Sequence, residues 1–406
     1  MSIENTKKEI QMKRIFIPDS AQKIINKLKE NGYDAYIVGG CVRDALLGRT
    51  PYDYDITTSA LPEEVKRIFT KTVDTGISHG TVTVISDAEP YEVTTFRVDG
   101  EYLDSRHPVS VSYTKRVEHD LARRDFTVNA LCYNHDEGLV DVFGGVCDLE
   151  QRLIRAVGDP YLRFSEDALR VFRGIRFAAT LGFEIEPETE RAIFDCKDNL
   201  KNISVERIYV EGSKLLGGSC AYDIIKKYTD VIAVCIPELE NMHIPERVKF
   251  EALSAEERQI ALFASACDAK GLDFAMRRLR VDNKTREYGV SVLKNLTLSD
   301  GMSDTELKLY LLNISDECAL SAARVAFALG MCDAGVEKRI EALLLADNPR
   351  RISQLAIGGR EIMDEGFAGE QVGAVLGKLL RAAAVGEIEN TKDALTDYVR
   401  RIKSAR

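Results

Sequence analysis

At 406 residues the chain is too long for one compact core, so about two to four domains or lobes are expected. Its composition, 45% hydrophobic and 30% charged, excludes a disordered chain or a fibre, and no apolar run reaches the ~20 residues of a membrane span. The net charge of −10 argues against a uniformly basic nucleic-acid binder, but local patches make such contacts, and the arginines cluster at Arg123–Arg124 and across Arg163, Arg170, Arg173 and Arg176.

The opening stretch, MSIENTKKEIQMKR, lacks the apolar core of a secretory signal. The nine cysteines are odd in number and form no CxxC pair, so they read as buried thiols of a reducing compartment. A cytoplasmic enzyme is the expectation. Ala35-Tyr36-Ile37-Val38 then predicts a short strand that runs into Gly39-Gly40 and a helix carrying Arg43. Such a turn lets backbone come close to a phosphate, with free N–H groups at the helix start and the Arg43 guanidinium beside them. A tight structural turn leaves the same signature.

Asp53-Tyr54-Asp55 follows about a dozen residues later. Residues two apart on a strand share a face, so the two carboxylates are expected side by side. They repel each other unless a cation lies between them. Magnesium suits that place, because it takes one or two carboxylates and completes its shell with phosphate oxygens and waters. A site of this kind activates a hydroxyl and neutralises a departing pyrophosphate. A bare DxD is more often an acidic surface turn; its position just after a phosphate-type turn is what gives it meaning.

Thr81 to Ile85 and Tyr91 to Val98 are rich in β-branched and aromatic residues and flank Asp87-Ala88-Glu89-Pro90, which predicts an antiparallel hairpin. Within it Glu92 alternates with Thr94 and Phe96, so it is either a third carboxylate at the same site or a solvated strand charge. Leu139 to Phe143 predicts another strand, closed by Gly144-Gly145. After about residue 160 the spacing becomes helical: Leu162 to Leu181, Pro187 to Phe194, Val205 to Leu216, then Glu306 to Leu312, Ala322 to Leu329 and Gln371 to Val385.

Five blocks in order resemble the bacterial and eukaryotic class of tRNA nucleotidyltransferases, the CCA-adding enzymes, and their relatives the bacterial poly(A) polymerases. They are GGCVRDALLGRTPYDYDITTSALP, GISHGTVTV, YEVTTFRVDGEYLDSRHP, DLARRDFTVNAL and RFSEDALRVFRGIRFAATLGFEIEPET. The resemblance implies an α+β fold: a small mixed-sheet, polymerase-beta-like head at 1–155, a helical neck at 156–225 and an elongated all-helical body and tail at 226–406. It further implies catalytic magnesium on Asp53 and Asp55, triphosphate on Gly40 and Arg43, and nucleotide contacts from Arg124. Asp104 and Arg106 fall in the family's flexible loop, tied to the switch from adding C to adding A. The implied substrates are tRNA, CTP and ATP. The alternatives are a poly(A) polymerase, a partial CC- or A-adding enzyme, or an inactive RNA-binding protein.

Glu166-Asp167-Ala168-Leu169-Arg170 is read as one helical stretch, with Asp167 and Arg170 adjacent on one face. A carboxylate only accepts hydrogen bonds and a guanidinium only donates them. Cytosine and adenine present an amine beside an unprotonated ring nitrogen, whereas uracil and guanine present the reverse. An Asp–Arg pair therefore fits C and A, as it does in the family, where it replaces a nucleic-acid template. Arg173 and Arg176 continue along the same helix and, by resemblance, line the nucleotide site; a salt-bridged helix surface is the alternative.

Many relatives carry a multi-histidine phosphohydrolase site. Here only His243 lies beyond residue 150, so that activity is not expected. Ile236-Pro237-Glu238-Leu239 looks like a remnant of that region. Leu355-Ala356-Ile357-Gly358-Gly359, with Gly366, Gly369, Gly373 and Asn390, resembles the tail that grips tRNA, although helix-capping glycines would look the same.

Overall fold

The computed structural model describes residues 14–77, 80–100 and 111–405. The chain divides into two compact units, Met1–Pro237 and Glu238–Arg406. The first holds a seven-stranded mixed sheet, from strands β1 (Ala35–Val38), β2 (Ile56–Thr58), β3 (Thr72–Gly76), β4 (Thr81–Ser86), β5 (Glu89–Thr95), β8 (Leu131–Asn134) and β9 (Gly138–Asp141), in the order β3-β4-β5-β2-β1-β8-β9. Strands β6 (Arg97–Asp99) and β7 (Val111–Tyr113) form a separate antiparallel ribbon. The β2–β5 ladder is parallel, while β1 pairs antiparallel with both β2 and β8.

Both faces of β1 are covered. Tyr36 and Val38 pack with Phe96, Leu121, Cys132 and Val157, while Ala35 and Ile37, on the opposite face by strand alternation, are also fully buried. An apolar run buried on both faces is what a central strand requires. The predicted hairpin forms with a two-residue turn at Asp87-Ala88, both in the left-handed region at φ 50° and 67°. That is the turn whose twist matches paired strands, although neither residue is the glycine usually found there.

The sequence spacing predicted one helix across Leu162 to Leu181. The structure instead has two, Pro160–Glu166 and Leu169–Leu181, with Asp167 extended between them at φ −138°, ψ 102°. The Asp167 carboxylate accepts from the Leu169 amide at 3.0 Å, so this side chain competes with the helix for a backbone donor and breaks it. The second of these helices is almost wholly buried and packs on Val205–Leu216. On another side Gly174 lets the helix come close to Ile193 and Phe126, from which a Cβ would stand 3.1 and 3.2 Å away.

The second unit is helical throughout its regular structure. Its predicted helices appear as Asp304–Leu311, Asp316–Ala328 and Glu370–Val385. Ser254 with Glu257 and Ser303 with Glu306 form reciprocal capping boxes that start two of the helices. Ile357, Ile362, Phe367, Leu379, Leu395 and Val399 close a small core near the C-terminus. No helix among the described residues is long and apolar enough to cross a membrane.

Candidate active site

Asp53 and Asp55 lie in the irregular lead into β2 rather than inside the strand. The Asp55 carbonyl accepts from the Val38 amide at 3.0 Å, which fixes this lead against the end of β1. In the parallel ladder Ile56 pairs with Val93, so one step back sets Asp55 beside Glu92. Asp53, Asp55 and Glu92 line one groove of about 620 Å³ together with Tyr52, Tyr54 and Tyr91. None of the three carboxylates has a hydrogen bond or ion pair among the described residues.

Partial burial pushes the Asp55 carboxyl up to about 6; the charges of Asp53 and Glu92 add to this and Arg124 opposes it. A cation removes that repulsion, so the donor set fits a hard divalent ion. Among the described residues no three His, Cys, Asp or Glu side chains are grouped so as to hold a metal ion, so Glu92 does not complete a three-carboxylate set with Asp53 and Asp55. An ion here would draw the rest of its shell from phosphates and water.

Beside the carboxylates, Gly39 ends β1 at φ +81° and begins the short helix Gly40–Leu46. A Cβ on Gly39 would stand 2.8 Å from Arg124 Nη1, so the missing side chain makes room for that guanidinium. At Gly40 a Cβ would meet only ordinary contact, 3.6 Å from Arg43. Arg124 is held by one long ion pair of 3.5 Å to Asp120, and its Nε hydrogen is buried without a partner. It is the basic group nearest in electrostatic effect to Asp55.

Arg43 stands at the start of this helix, as expected. Its guanidinium is buried and donates to Asp44 at 2.9 and 3.0 Å and to Asn129 at 2.6 Å. It therefore braces the turn. Behind Arg124, the fully buried Asp120 takes both Nε and Nη2 of Arg123, at 2.9 and 2.7 Å, and accepts from Thr57 at 3.2 Å. Burial raises its pKa, but Arg123 and Arg124 outweigh that and hold it below the usual carboxylate range.

Asp167 and Arg170 do not face each other from one helix, because the helix breaks between them. Asp167 binds Arg207, through Nη1 at 3.4 Å and Nη2 at 2.8 Å. Arg170 is 8% exposed and donates to Glu166 at 2.5 Å and to the carbonyls of Arg163 and Arg123 at 2.9 and 2.8 Å. These bonds leave its Nε hydrogen and one on Nη2 unassigned. Arg173 donates to Asp125 at 2.8 and 2.6 Å and to Glu211 at 3.4 Å, and Arg176 donates to Glu211 at 2.7 Å. Arg176 also stacks over Phe177. Both arginines are salt-bridged, Arg176 in a buried pair and Arg173 in part-buried ones.

Sequence reasoning missed Asp120, Asp125, Asn129, Arg207 and Glu211. Asp125 stood in the quoted RRDFT run, and Arg207 and Glu211 sit four apart on an amphipathic helix, a spacing that puts both on one face. Asp104 and Arg106 lie outside the described residues. In the second unit, Glu238 pairs with Arg278 at 2.5 Å, and Asn390 bridges the Gln354 carbonyl and the Ala356 amide, each at 2.9 Å. Gly366 and Gly369 adopt φ of +91° and +57°, so these tail glycines serve backbone geometry, as capping glycines would.

Residues 35–155 match the family described as Poly A polymerase head domain, and residues 182–242 match the probable RNA and SrmB-binding site of polymerase A. The CCA-adding enzyme of Streptococcus gordonii is 37% identical over 394 residues, covering 94% of this chain and 97% of that one. That of Geobacillus stearothermophilus is 36% identical over 383 residues, covering 92% and 94%. The crystal structure of the Bacillus stearothermophilus CCA-adding enzyme in complex with CTP superposes with a TM-score of 0.80 at 33% identity, covering 96% of this chain and 99% of that one. The chain belongs to the CCA-adding enzyme family. It is a nucleotidyltransferase with a mixed-sheet head and helical remainder. For this family member, the groove at Asp53 and Asp55 is the candidate seat of transfer.

Proposed function

We propose that this protein adds C, C and A in turn to the 3′ end of tRNA, taking CTP and ATP as donors, using no nucleic-acid template and acting in the cytoplasm. The observation that carries the chemistry is the groove in which Asp53, Asp55 and Glu92 stand unpartnered beside Arg124. Asp53 and Asp55 would hold magnesium, with Glu92 as a further carboxylate close by. When bound, the ion lowers the pKa of the primer hydroxyl and offsets charge on the triphosphate. Arg124 reaches the triphosphate past Gly39, while Gly40 and the braced Arg43 keep the turn in the shape that admits it. The buried Asp120 aims Arg124 and Arg123 from behind.

Base choice is assigned to Asp167 and Arg170. Asp167 Oδ2 retains a lone pair for an exocyclic amine, and Arg170 retains two N–H groups for a ring nitrogen. Uracil or guanine would leave donor against donor and acceptor against acceptor, at about 1–3 kcal/mol for each unmet group. Arg173 and Arg176 support the nucleotide site through Asp125 and Glu211. We retain a head at 1–155, a neck at 156–225 and a body and tail at 226–406 as functional segments, the last gripping tRNA through phosphates and shape.

The test is to incubate the protein with tRNA lacking its CCA end, magnesium and each labelled triphosphate, then size the products. Growth by two C and one A, then arrest, is the expected result. A long A tail would place the protein with poly(A) polymerases. A stop after CC, or A addition only onto CC ends, would mark a partial enzyme.

A further inference from the structure

Asp167 is an odd place to keep a base-reading carboxylate. It belongs to neither flanking helix: its amide caps the first by donating to the Arg163 carbonyl at 3.4 Å, its carbonyl accepts from the Arg170 amide at 3.0 Å, and its side chain is held by what it binds. Two groups bind it. The Leu169 amide donates to Oδ1 at 3.0 Å, and Arg207, reaching from the first turn of the helix Val205–Leu216, spans both oxygens. The two side chains are partly open to solvent, 19% for Asp167 and 30% for Arg207, so the pair borders accessible space.

The geometry points to Arg207 as a positioning residue for nucleotide selection. This rests on the reading that Asp167 accepts from the exocyclic amine of C or A. A bidentate guanidinium fixes the plane of a carboxylate as well as its location. With Oδ1 shared between Leu169 and Arg207, the free lone pair lies on Oδ2, in one direction. An ionised carboxylate lacks the O–H that would welcome a uracil or guanine carbonyl, so its orientation decides which base edge it meets. Without Arg207 the carboxylate keeps a single bond to Leu169 and is free to turn about it. Arg170 makes no bond to the Asp167 carboxylate, its assigned donors serving Glu166 and the carbonyls of Arg163 and Arg123.

The consequence is separable from catalysis, since Arg207 does not line the Asp53–Asp55 groove and its side chain bonds to Asp167. Arg207→Ala, Arg207→Lys and Asp167→Ala are compared with the unaltered protein for incorporation of CTP, ATP, UTP and GTP onto tRNA. Thermal midpoints are recorded alongside. Arg207→Ala is expected to lower the CTP-over-UTP ratio of kcat/KM by about tenfold, mostly through a higher KM for CTP, because one charged hydrogen-bonded pair is lost. Arg207→Lys should recover part of the ratio, as a cation without the fork. A merely structural role would slow all four nucleotides together and leave the ratio unchanged. That result, with Asp167→Ala still losing selection, overturns the positioning role and spares the base-reading one. If Asp167→Ala keeps full selection, base reading by Asp167 fails and the role of Arg207 fails with it. Should Arg207→Ala not fold, the Lys variant decides alone: a ratio equal to that of the unaltered protein overturns the inference.

Discussion

At the residue scale the site is governed by which charges have partners. Asp55 has none, and burial with the charges of Asp53 and Glu92 pushes it up to about 6. A proton and a divalent ion compete for it. Magnesium affinity, measured by calorimetry, should therefore fall as pH drops through about 6, and Asp55→Asn should remove both the affinity and its pH step. Asp125 is the opposite case. Burial alone would raise it, but Arg173, Asn129 and the Phe126 amide hold it far below the ordinary carboxylate range. A depressed pKa means that its contribution to stability is complete above the unfolded value and is lost as pH falls towards the folded one. Asp125→Asn should cost about 1–3 kcal/mol at neutral pH, because it takes the main partner from the part-buried Arg173, which keeps only its long bond to Glu211. The same change should flatten the acid limb of a pH–stability curve, and denaturant titration at several pH values measures both effects.

Two short turns carry much of the geometry at the scale of elements. Gly39, at φ +81°, lets Arg124 pass where a Cβ would sit 2.8 Å away. Gly39→Ala should cost about 1–3 kcal/mol in backbone strain and displace Arg124; steady-state kinetics should show a raised KM for CTP and ATP. The Asp87-Ala88 turn is under strain of its own, with both residues left-handed. Ala88→Gly should stabilise the protein by about 1 kcal/mol, seen as a higher melting temperature with unchanged activity.

These turns also show what a sequence can and cannot reveal. Gly-Gly after an apolar strand, and DxD a short way beyond, were legible because they are local signals with local physical reasons. The strand and helix periods were legible too, since burial on one face or both leaves a pattern of spacing. What stayed hidden was long-range pairing. Asp167 was matched with Arg170 because three residues of helix would make them neighbours, yet a side-chain bond to Leu169 breaks that helix and Arg207, forty positions away, takes the carboxylate. Arg43 reads as a phosphate ligand in its first helical turn; its bond to Asn129, from a different element, has no local signal. Glu92 stands beside Asp55 through the parallel register with β2, a pairing that local spacing does not announce.

At the scale of the whole molecule, the chain separates into Met1–Pro237 and Glu238–Arg406. Each has its own core, so unfolding should not be a single event. Hydrogen exchange in graded denaturant should show protection lost at different concentrations for β1 and for the helix Glu370–Val385; coincident loss would mean the two units unfold together. No such seam exists between sheet and neck. Asp44, Arg43, Asn129, Asp125, Arg173, Glu211 and Arg176 form one unbroken line of hydrogen bonds from the glycine turn to the helix Val205–Leu216.

That line has a consequence for heredity and for protein engineering. A crossover between two relatives that falls between residues 129 and 173 inherits half of a buried charge network from each parent, and any mismatch leaves an ion stranded in the interior. A crossover at Pro237–Glu238 divides no part of it. Modular exchange among these proteins should therefore succeed at the second junction and fail at the first, however alike the parental sheets may be.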